Sequence, residues 1–209
     1  LKHLIGKFTR KLFASNILSF YSFKQDLEFF TLLMNRLRNK LSHPKIQLIY
    51  RASERNFSAK SFHESCDGHG STLTIIQTNH GNVFGGYADV KWPIKDGESH
   101  HSEGIFLFLI KSNDPGQICP VIFNASHRYS LPSIYNVASI GPAFGSETSN
   151  VFELSISDGA SSLAYGCCIR SEVFDYTALT TFDRDISGGP LDATFKVVDY
   201  EVFQINEYV

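Results

Sequence analysis

The sequence predicts an α+β protein, namely a two-layer antiparallel β-sandwich with peripheral helices and a helical N-terminal segment. Short apolar runs are separated by turn residues along most of the chain, which favours an antiparallel sandwich over alternating β-α-β units. The chain has 18 Phe and 9 Tyr but one Trp and one Met, which indicates an aromatic core typical of sheets. Its 209 residues suit one domain of ordinary size.

The chain begins with a basic amphipathic stretch. Apolar residues at helical spacing, among them Leu4, Phe8 and Leu12, lie between lysines and arginines. We therefore predict a basic helical arm over residues 1–16. The arm either packs on the domain or contacts a partner, an anionic membrane surface or nucleic acid.

A second helix is predicted over residues 23–41. Ser22 and Gln25 form a capping box at its start. An apolar seam then repeats at alternating steps of four and three residues, at Phe23, Leu27, Phe30, Met34, Leu37 and Leu41. The seam favours burial on the sheet, and Pro44 ends the helix.

The β-sandwich is predicted over residues 46–209. Its first part reads as a strand at 47–51, a helix at 59–66 capped by Ser58, and a hairpin of strands 72–78 and 83–87. After a polar surface loop at 95–103, further strands are predicted at 105–110, 121–123, 133–137, 151–156, 163–169 and 195–205, and residues 140–145 are interpreted as the approach to the strand at 151–156.

Two adjacent glycines, Gly85 and Gly86, interrupt the second strand of the hairpin. A glycine inside a strand leaves the backbone bare and often marks a place where another group approaches closely. We therefore expect close packing against these two residues.

Several separated blocks, in order along the chain, resemble the TLDc domain family. They are Ser61-Phe62-His63, Cys66-Asp67, Gly70, Thr72 to Ile76, Gly81, Phe84 to Tyr87, Trp92, Pro142-Ala143-Phe144-Gly145, Phe195, Val197 and Glu201-Val202-Phe203. The resemblance covers roughly residues 17–209, which we take as a TLDc-like domain following the arm. It implies the same fold of two antiparallel sheets packed face to face with peripheral helices.

The resemblance also implies a function. The family is associated with protection against oxidative stress, and several members bind and regulate the vacuolar proton-pumping ATPase. The chain is therefore expected to be a non-enzymatic interaction and regulatory module, with subunits of that ATPase as candidate partners. We expect its contact surface at exposed backbone and strand edges near Gly85, Gly86, Tyr87, Trp92 and Glu201. The expected compartment is the cytoplasm, with the nucleus or an organelle surface as alternatives.

A second hypothesis is a redox or hydrolytic enzyme that uses Cys66 and His63. These residues lie three apart on the short helix, so their side chains share a face. An imidazole beside a thiolate can activate it as a nucleophile, and the pair could also supply two metal ligands, with His69 or His80 as further ones. The opposing interpretation is that Cys66 fills the core while His63 bonds a neighbouring loop.

A calcium site is a further candidate. Residues 183–188 match the first six positions of a calcium-binding loop, with Asp183, Asp185 and Ser187 as ligands. Position twelve, which should be glutamate, is Thr194. A surface turn is the alternative, and we expect no cofactor elsewhere, because the sequence lacks nucleotide-binding, zinc-protease and hydrolase motifs.

Charge is unevenly distributed along the chain. Residues 1–45 hold nine Lys or Arg and two acids, a net of +7, whereas the remainder holds ten basic and nineteen acidic residues, a net of −9. This asymmetry supports the third hypothesis, a regulatory protein that binds nucleic acid or an anionic membrane through residues 1–45. The four cysteines are too few and too irregular for a disulfide scaffold, so we expect free thiols.

Overall fold

The computed structural model describes residues 15–18, 23–37, 44–126, 132–146, 152–159, 165–168, 173–179, 186–187 and 194–207. The predicted basic arm lies outside these ranges except for Ser15 and Asn16, and so does the predicted helical continuation over residues 38–41.

Two helices, a short 3₁₀ turn and a series of strands make up the described chain. In order they are α1 Phe23–Leu37, β1 Pro44–Arg51, the 3₁₀ turn Ala52–Glu54, α2 Ala59–Cys66, β2 Thr72–Thr78, β3 Val83–Ala88, β4 Ser99–His101, β5 Phe106–Lys111, β6 Val121–Phe123, β7 Pro132–Tyr135, β8 Ile140–Ser146, β9 Phe152–Ser157, β10 Tyr165–Cys168 and β11 Thr194–Glu207. Among the residues described, neither helix combines the length and apolar character needed to cross a bilayer.

The strands form two antiparallel sheets that share the long strand β11. Sheet A has the order β6-β5-β3-β2-β11-β1, and sheet B has the order β4-β7-β8-β9-β10-β11. The start of β11 pairs with β10, and from Val197 onward β11 pairs with β2. An irregularity in register between Val197 and Asp199 lies where the strand passes from one sheet to the other. The predicted two-layer antiparallel sandwich is confirmed.

The two sheets enclose the larger of two apolar clusters. Its bulkiest fully buried side chains are Phe62, Phe84, Trp92, Phe123, Phe144, Phe195 and Tyr200. The rings meet edge to face, for example Phe62 and Trp92 at 5.2 Å between centroids and 90° between planes. Aromatic pairs favour this geometry because the ring edge is electropositive and the face electronegative.

A second apolar cluster lies on the other face of sheet A, beneath α1. It includes Phe29, Leu33, Met34 and Leu37 of the helix and Phe106, Phe108 and Phe203 of the sheet. Strand β2 serves both layers, because Leu73 and Ile75 belong to this cluster while Ile76 belongs to the inter-sheet core. The molecule is therefore layered as helix, sheet A and sheet B, and α1 buries its apolar face on the sheet as the seam predicts.

Close packing against the two glycines of β3 is confirmed. A Cβ atom on Gly86 would lie 2.6 Å from the Phe144 ring of sheet B, and one on Gly85 would overlap the carbonyl oxygen of Thr74. Real Cβ atoms do not come this close to other atoms, so neither position has room for a side chain. Bare backbone at this point lets the two sheets approach.

Two predicted boundaries are wrong, and strand β8 lies where the sequence predicts only the approach to the next strand. The surface loop at 95–103 contains strand β4, in which Ser99 pairs with Tyr135 and His101 with Ser133. No apolar alternation announces this strand, because it is short, polar and at the edge of sheet B. Strand β1 also begins at Pro44, three residues before the predicted start, since a proline at the first position of a strand needs no N–H donor there.

Candidate functional site

The predicted contact residues Gly85, Gly86, Tyr87 and Trp92 are inside the molecule. Strand β3 is hydrogen-bonded on both sides, to β2 and to β5. Tyr87 is 2% exposed and Trp92 is fully buried, with its indole N–H donating to the Thr72 hydroxyl at 2.9 Å. The prediction that these residues offer exposed backbone is therefore wrong, because a central strand has no free edge.

Tyr87 belongs to the outer layer of the core. Its ring stacks on Phe106 at 4.9 Å between centroids and 27° between planes. Burial raises the pKa of the Tyr87 phenol from 10.0 to about 12. Both residues line an open cleft of about 310 Å³, together with Arg36, Leu37, Glu103 and Gly104. The Arg36 guanidinium lies 5.1 Å from the centre of the Phe106 ring, an ordinary cation–π contact.

Glu201, the fifth predicted contact residue, is also fully buried. One carboxylate oxygen, Oε1, accepts hydrogen bonds from the backbone N–H of Asn16 and from Nε of Arg51, both at 2.8 Å. The other, Oε2, accepts from the hydroxyl of Ser15. Placement of Glu201 at an exposed edge is wrong as well, since β11 is an internal strand of sheet A that pairs with β1 on one side and β2 on the other. Its carboxylate fastens the N-terminal segment to the sheet.

Ser15 and Arg51 were missed by sequence reasoning. Ser15 is 1% exposed, and its oxygen accepts from the N–H groups of Ile17 and Leu18 at 3.1 and 3.0 Å. Serine is a residue type that favours turns, because its hydroxyl can bond nearby backbone N–H groups, so the turn itself has a local signal in the sequence. Its distant partner Glu201, however, is 186 positions away along the chain, and no spacing predicts that contact.

A second buried carboxylate on β11 plays a similar part. Asp199, 7% exposed, accepts from the backbone N–H and the hydroxyl of Ser53 at 3.0 and 2.7 Å, and from the N–H of Tyr200 at 2.9 Å. It holds the 3₁₀ turn after β1 against the sheet. Buried carboxylates need such partners because an unpaired one would be strongly destabilising.

The short helix α2 forms as predicted. The Ser58 hydroxyl caps it by accepting from the Ser61 N–H at 3.3 Å, and the backbone N–H of Ala59 donates to Asp158 at 3.0 Å. Phe62 and Cys66 point into the inter-sheet core and are fully buried.

The two candidate catalytic residues on α2 do not form a pair. Burial, with a smaller contribution from neighbouring Asp67, raises the pKa of the Cys66 thiol well above its usual value. A nucleophilic cysteine needs the opposite shift and access to solvent. His63 instead bonds Asp67, with Nδ1 2.9 Å from Oδ1. This geometry opposes the enzyme hypothesis.

His63 is surrounded by oxygen acceptors. Its Nε2 lies 3.0 Å from the Val137 carbonyl and 2.9 Å from the Ile140 carbonyl. Carbonyl oxygens only accept hydrogen bonds, so Nε2 is the atom that donates to both of them. The histidine thereby ties α2 to the turn between β7 and β8.

Asp67 extends this junction to a third loop. Its Oδ2 accepts from the side-chain amide of Asn136 at 2.7 Å, and the same amide donates to the Pro93 carbonyl at 2.9 Å. The side chains of His63, Asp67 and Asn136 together form what we call the α2 junction. Within the described ranges, no three His, Cys, Asp or Glu side chains come together as metal ligands.

The candidate calcium loop is only partly described. Asp183 and Asp185 lie outside the described residues. Ser187 is buried, and its carbonyl accepts from the Thr78 hydroxyl at 3.0 Å, while the Ile186 carbonyl accepts from the Asn82 amide at 3.0 Å. These bonds attach the segment to the β2–β3 hairpin, and calcium binding stays a prediction.

Two comparisons with known proteins follow from the sequence. The search of curated proteins finds no match to this chain. A scan against family models finds one whose description is TLDc domain, and it matches residues 24–206, which is most of the chain. The match includes α2, β11 up to Asn206 and the buried carboxylates of Asp199 and Glu201, whereas Ser15 and Asn16 precede it.

Proposed function

This chain belongs to the TLDc domain family, and on that premise we propose that it is a non-enzymatic interaction and regulatory module of the oxidation-resistance type. Fold alone does not determine function, so the proposal rests on the sites within it.

The observation that carries the proposal is that side chains able to do chemistry are bonded into the fold. Cys66 is fully buried with a raised pKa. His63 has three oxygen partners, and Glu201 holds a serine, a backbone amide and an arginine. Such groups stabilise the layered body, which then acts by presenting its surface to another molecule.

The partner we propose is the vacuolar proton-pumping ATPase, as the family resemblance implies. The surface that contacts it must differ from the buried residues Gly85, Gly86, Tyr87 and Trp92. Among the described residues, the large apolar side chains with the greatest exposure are Ile94 and Ile118, 74% and 81% exposed. They are the first positions to substitute when the contact surface is mapped.

A pull-down with purified catalytic-sector subunits of the ATPase tests the partner. We expect retention of one or more subunits in at least one of the nucleotide-free, ATP and ADP states. Replacing Ile94 or Ile118 by Asp should weaken retention if that side chain is in the interface, and Lys60→Ala, on the exposed face of α2, is the matched control. Absence of association in every nucleotide state would remove this partner.

The stress-response part of the proposal has a separate test. In cells made peroxide-sensitive by loss of this protein, the wild-type chain should restore survival. A non-enzymatic module predicts that Cys66→Ala and Cys119→Ser restore survival equally well, provided that circular dichroism shows both to be folded. Loss of protection in a folded Cys66→Ala protein would favour thiol chemistry instead.

A second candidate function is favoured by the charge asymmetry. Residues 1–45 carry a net charge of +7, which suits binding to nucleic acid or to an anionic membrane. Such binding should weaken steeply with salt, because it releases condensed counterions. Deleting residues 1–14 should abolish it, and binding that is indifferent to salt would contradict this candidate.

A further inference from the structure

The N-terminal segment Ser15–Leu18 is bound to the domain in the way that a short peptide ligand is bound. Glu201 recognises it through two different groups, the hydroxyl of Ser15 and the backbone N–H of Asn16. Arg51 donates to the same carboxylate oxygen as Asn16 does, at 2.8 Å from Nε. Hydrogen bonds that pair an arginine with a carboxylate are stronger than bonds between neutral groups.

Apolar contacts add to this polar recognition. Ile17 and Leu18 are 1% and 4% exposed. Both belong to the outer cluster, which also holds Phe203 and Ile205 of β11. These two residues follow Glu201 on the same face of the strand, at positions i+2 and i+4. A polar anchor and an apolar surface thus lie side by side on one strand.

The segment has its own compact shape. The Ser15 oxygen accepts from the N–H groups of Ile17 and Leu18, which closes a single turn. The serine therefore does two things at once, since it donates to Glu201 and caps the turn that directs the two aliphatic side chains. Alanine at this position would lose both, so the arrangement selects for serine followed at the second and third positions by aliphatic residues.

The bound segment and the residues that bind it differ in whether the family match includes them. The TLDc domain match begins at residue 24, so Ser15–Leu18 precede it, whereas Arg51, Glu201, Phe203 and Ile205 lie within it. The family match therefore includes the residues that bind and does not include the segment that they bind.

We propose that Arg51, Glu201 and the adjoining apolar face of sheet A form a peptide-binding site, and that Ser15–Leu18 is its intramolecular occupant. The ligand class is a short segment with the pattern Ser-x-aliphatic-aliphatic. A partner segment with this pattern binds by displacing the chain's own. The proposal does not depend on the ATPase as partner, so either can fail without the other.

The tether explains why the site is filled in the isolated chain. Only residues 19–22 separate the segment from α1. A short tether gives an effective concentration in the millimolar range, so a free peptide has to compete against that. Weakening the intramolecular occupant should therefore expose the site to a peptide added in solution.

The test uses the full chain and a fluorescein-labelled peptide of residues 11–20. In one variant Ile17 and Leu18 are both replaced by Asp, which disables the intramolecular occupant while leaving the receptor residues intact. We expect this variant to bind the peptide at least about tenfold more tightly than the wild-type chain does. A peptide carrying Ser15→Ala, and a disabled variant that also carries Glu201→Gln, should each bind about tenfold more weakly.

Controls separate displacement from a purely structural role. Near-UV circular dichroism establishes that the disabled variant is folded, and Glu64→Gln in that variant, at a side chain 63% exposed on α2, should leave peptide affinity unchanged. No binding by the folded variant overturns the proposal, and so does failure of the variant to fold.

Hydrogen exchange in the wild-type chain gives a second, independent measurement. If the segment leaves its site by local opening, the Asn16 amide exchanges faster than the amides of β11 by about tenfold or more. Exchange of Asn16 at the same rate as β11 would mean that the segment leaves only on global unfolding, and this result also overturns the proposal.

Discussion

The α2 junction and the carboxylate of Glu201 are two polar centres built on different plans. At the α2 junction, His63 and Asp67 are 12% and 18% exposed, and every partner lies within the family-matched stretch. Glu201 is fully buried, and two of its partners lie outside that stretch. The first centre joins loops of the domain to one another. The second joins the family-matched stretch to a segment that precedes it, and this difference is why we assign binding to the second alone.

The largest expected effect comes from removing the buried carboxylate. Glu201→Ala leaves Arg51, Ser15 and the Asn16 amide without their shared acceptor inside the protein. Breaking a buried ion pair by removing one partner costs about 3–5 kcal/mol. Urea denaturation should show this loss in the free energy of unfolding. A loss below about 1 kcal/mol would mean that Glu201 behaves as a surface charge, and the contrast between the two centres would disappear.

Breaking the α2 junction should cost less. His63→Ala removes the donor to Asp67 and to the Val137 and Ile140 carbonyls, at the partly exposed edge of the sandwich. We expect a loss of about 2–3 kcal/mol, because the orphaned oxygens can reach water only in part. Lys60→Ala on the same helix, with a side chain 85% exposed, should change the free energy of unfolding by less than about 0.5 kcal/mol. Equal effects of the two substitutions would contradict the junction.

The dependence of stability on alkaline pH tests the burial of Tyr50. Its hydroxyl is 3.3 Å from the Ser58 carbonyl, and its ring stacks on Tyr200. Burial raises the pKa of Tyr50 from 10.0 to about 12. The unfolded phenol loses its proton near pH 10 while the folded one keeps it, so stability is complete below pH 10 and falls as pH rises through 12.

The expected alkaline loss attributable to Tyr50 is about 2 kcal/mol. Urea denaturation at a series of pH values from 8 to 12 measures it, and Tyr50→Phe should flatten the decline. Tyr87 has the same raised pKa of about 12 in the outer layer, so Tyr87→Phe should flatten it to a similar degree. If neither variant changes the slope, the two phenols titrate as exposed groups and their burial is in doubt.

The smallest expected effect falls on the segment itself. Ser15→Ala removes one hydrogen bond to Glu201 and the cap on Ile17 and Leu18, while Arg51 and the Asn16 amide keep the carboxylate paired. A loss of about 1 kcal/mol is expected. We expect Glu201→Ala to lower the free energy of unfolding several times more than Ser15→Ala does. Equal losses would show that the segment and its receptor act as one inseparable unit.

Local patterns were enough to predict the elements that depend on neighbours along the chain. The Ser58 cap, the β2–β3 hairpin and the close approach at Gly86 follow from residue type and spacing, and all are present. Strand β4 has no such pattern, since Ser99–His101 is polar and owes its extended form to pairing with β7. Sequence alone could not place it.

The predicted contact residues are buried rather than exposed, and there is a physical reason why the sequence did not show this. Motifs at Gly85, Trp92 and Glu201 identify the family, but residues that identify a family serve packing as often as contact. Here Trp92 fills the core and Glu201 pairs with groups about 150 to 186 positions away. Burial and long-range pairing depend on the whole fold, so the sequence marked these residues without indicating which way they face.

The central claim is that the thiol and imidazole of α2 are structural, and the rate of Cys66 alkylation in the native full chain tests it most directly. In the test protein, Cys119, Cys167 and Cys168 are replaced by Ser, so that Cys66 is the one thiol left to react. We predict that iodoacetamide modifies Cys66 only as fast as the chain opens, with no inflection between about pH 5 and 8, because burial raises the thiol pKa and blocks access. Rapid modification of the folded protein with an inflection in that range would contradict the account, since it would reveal a thiolate activated by His63.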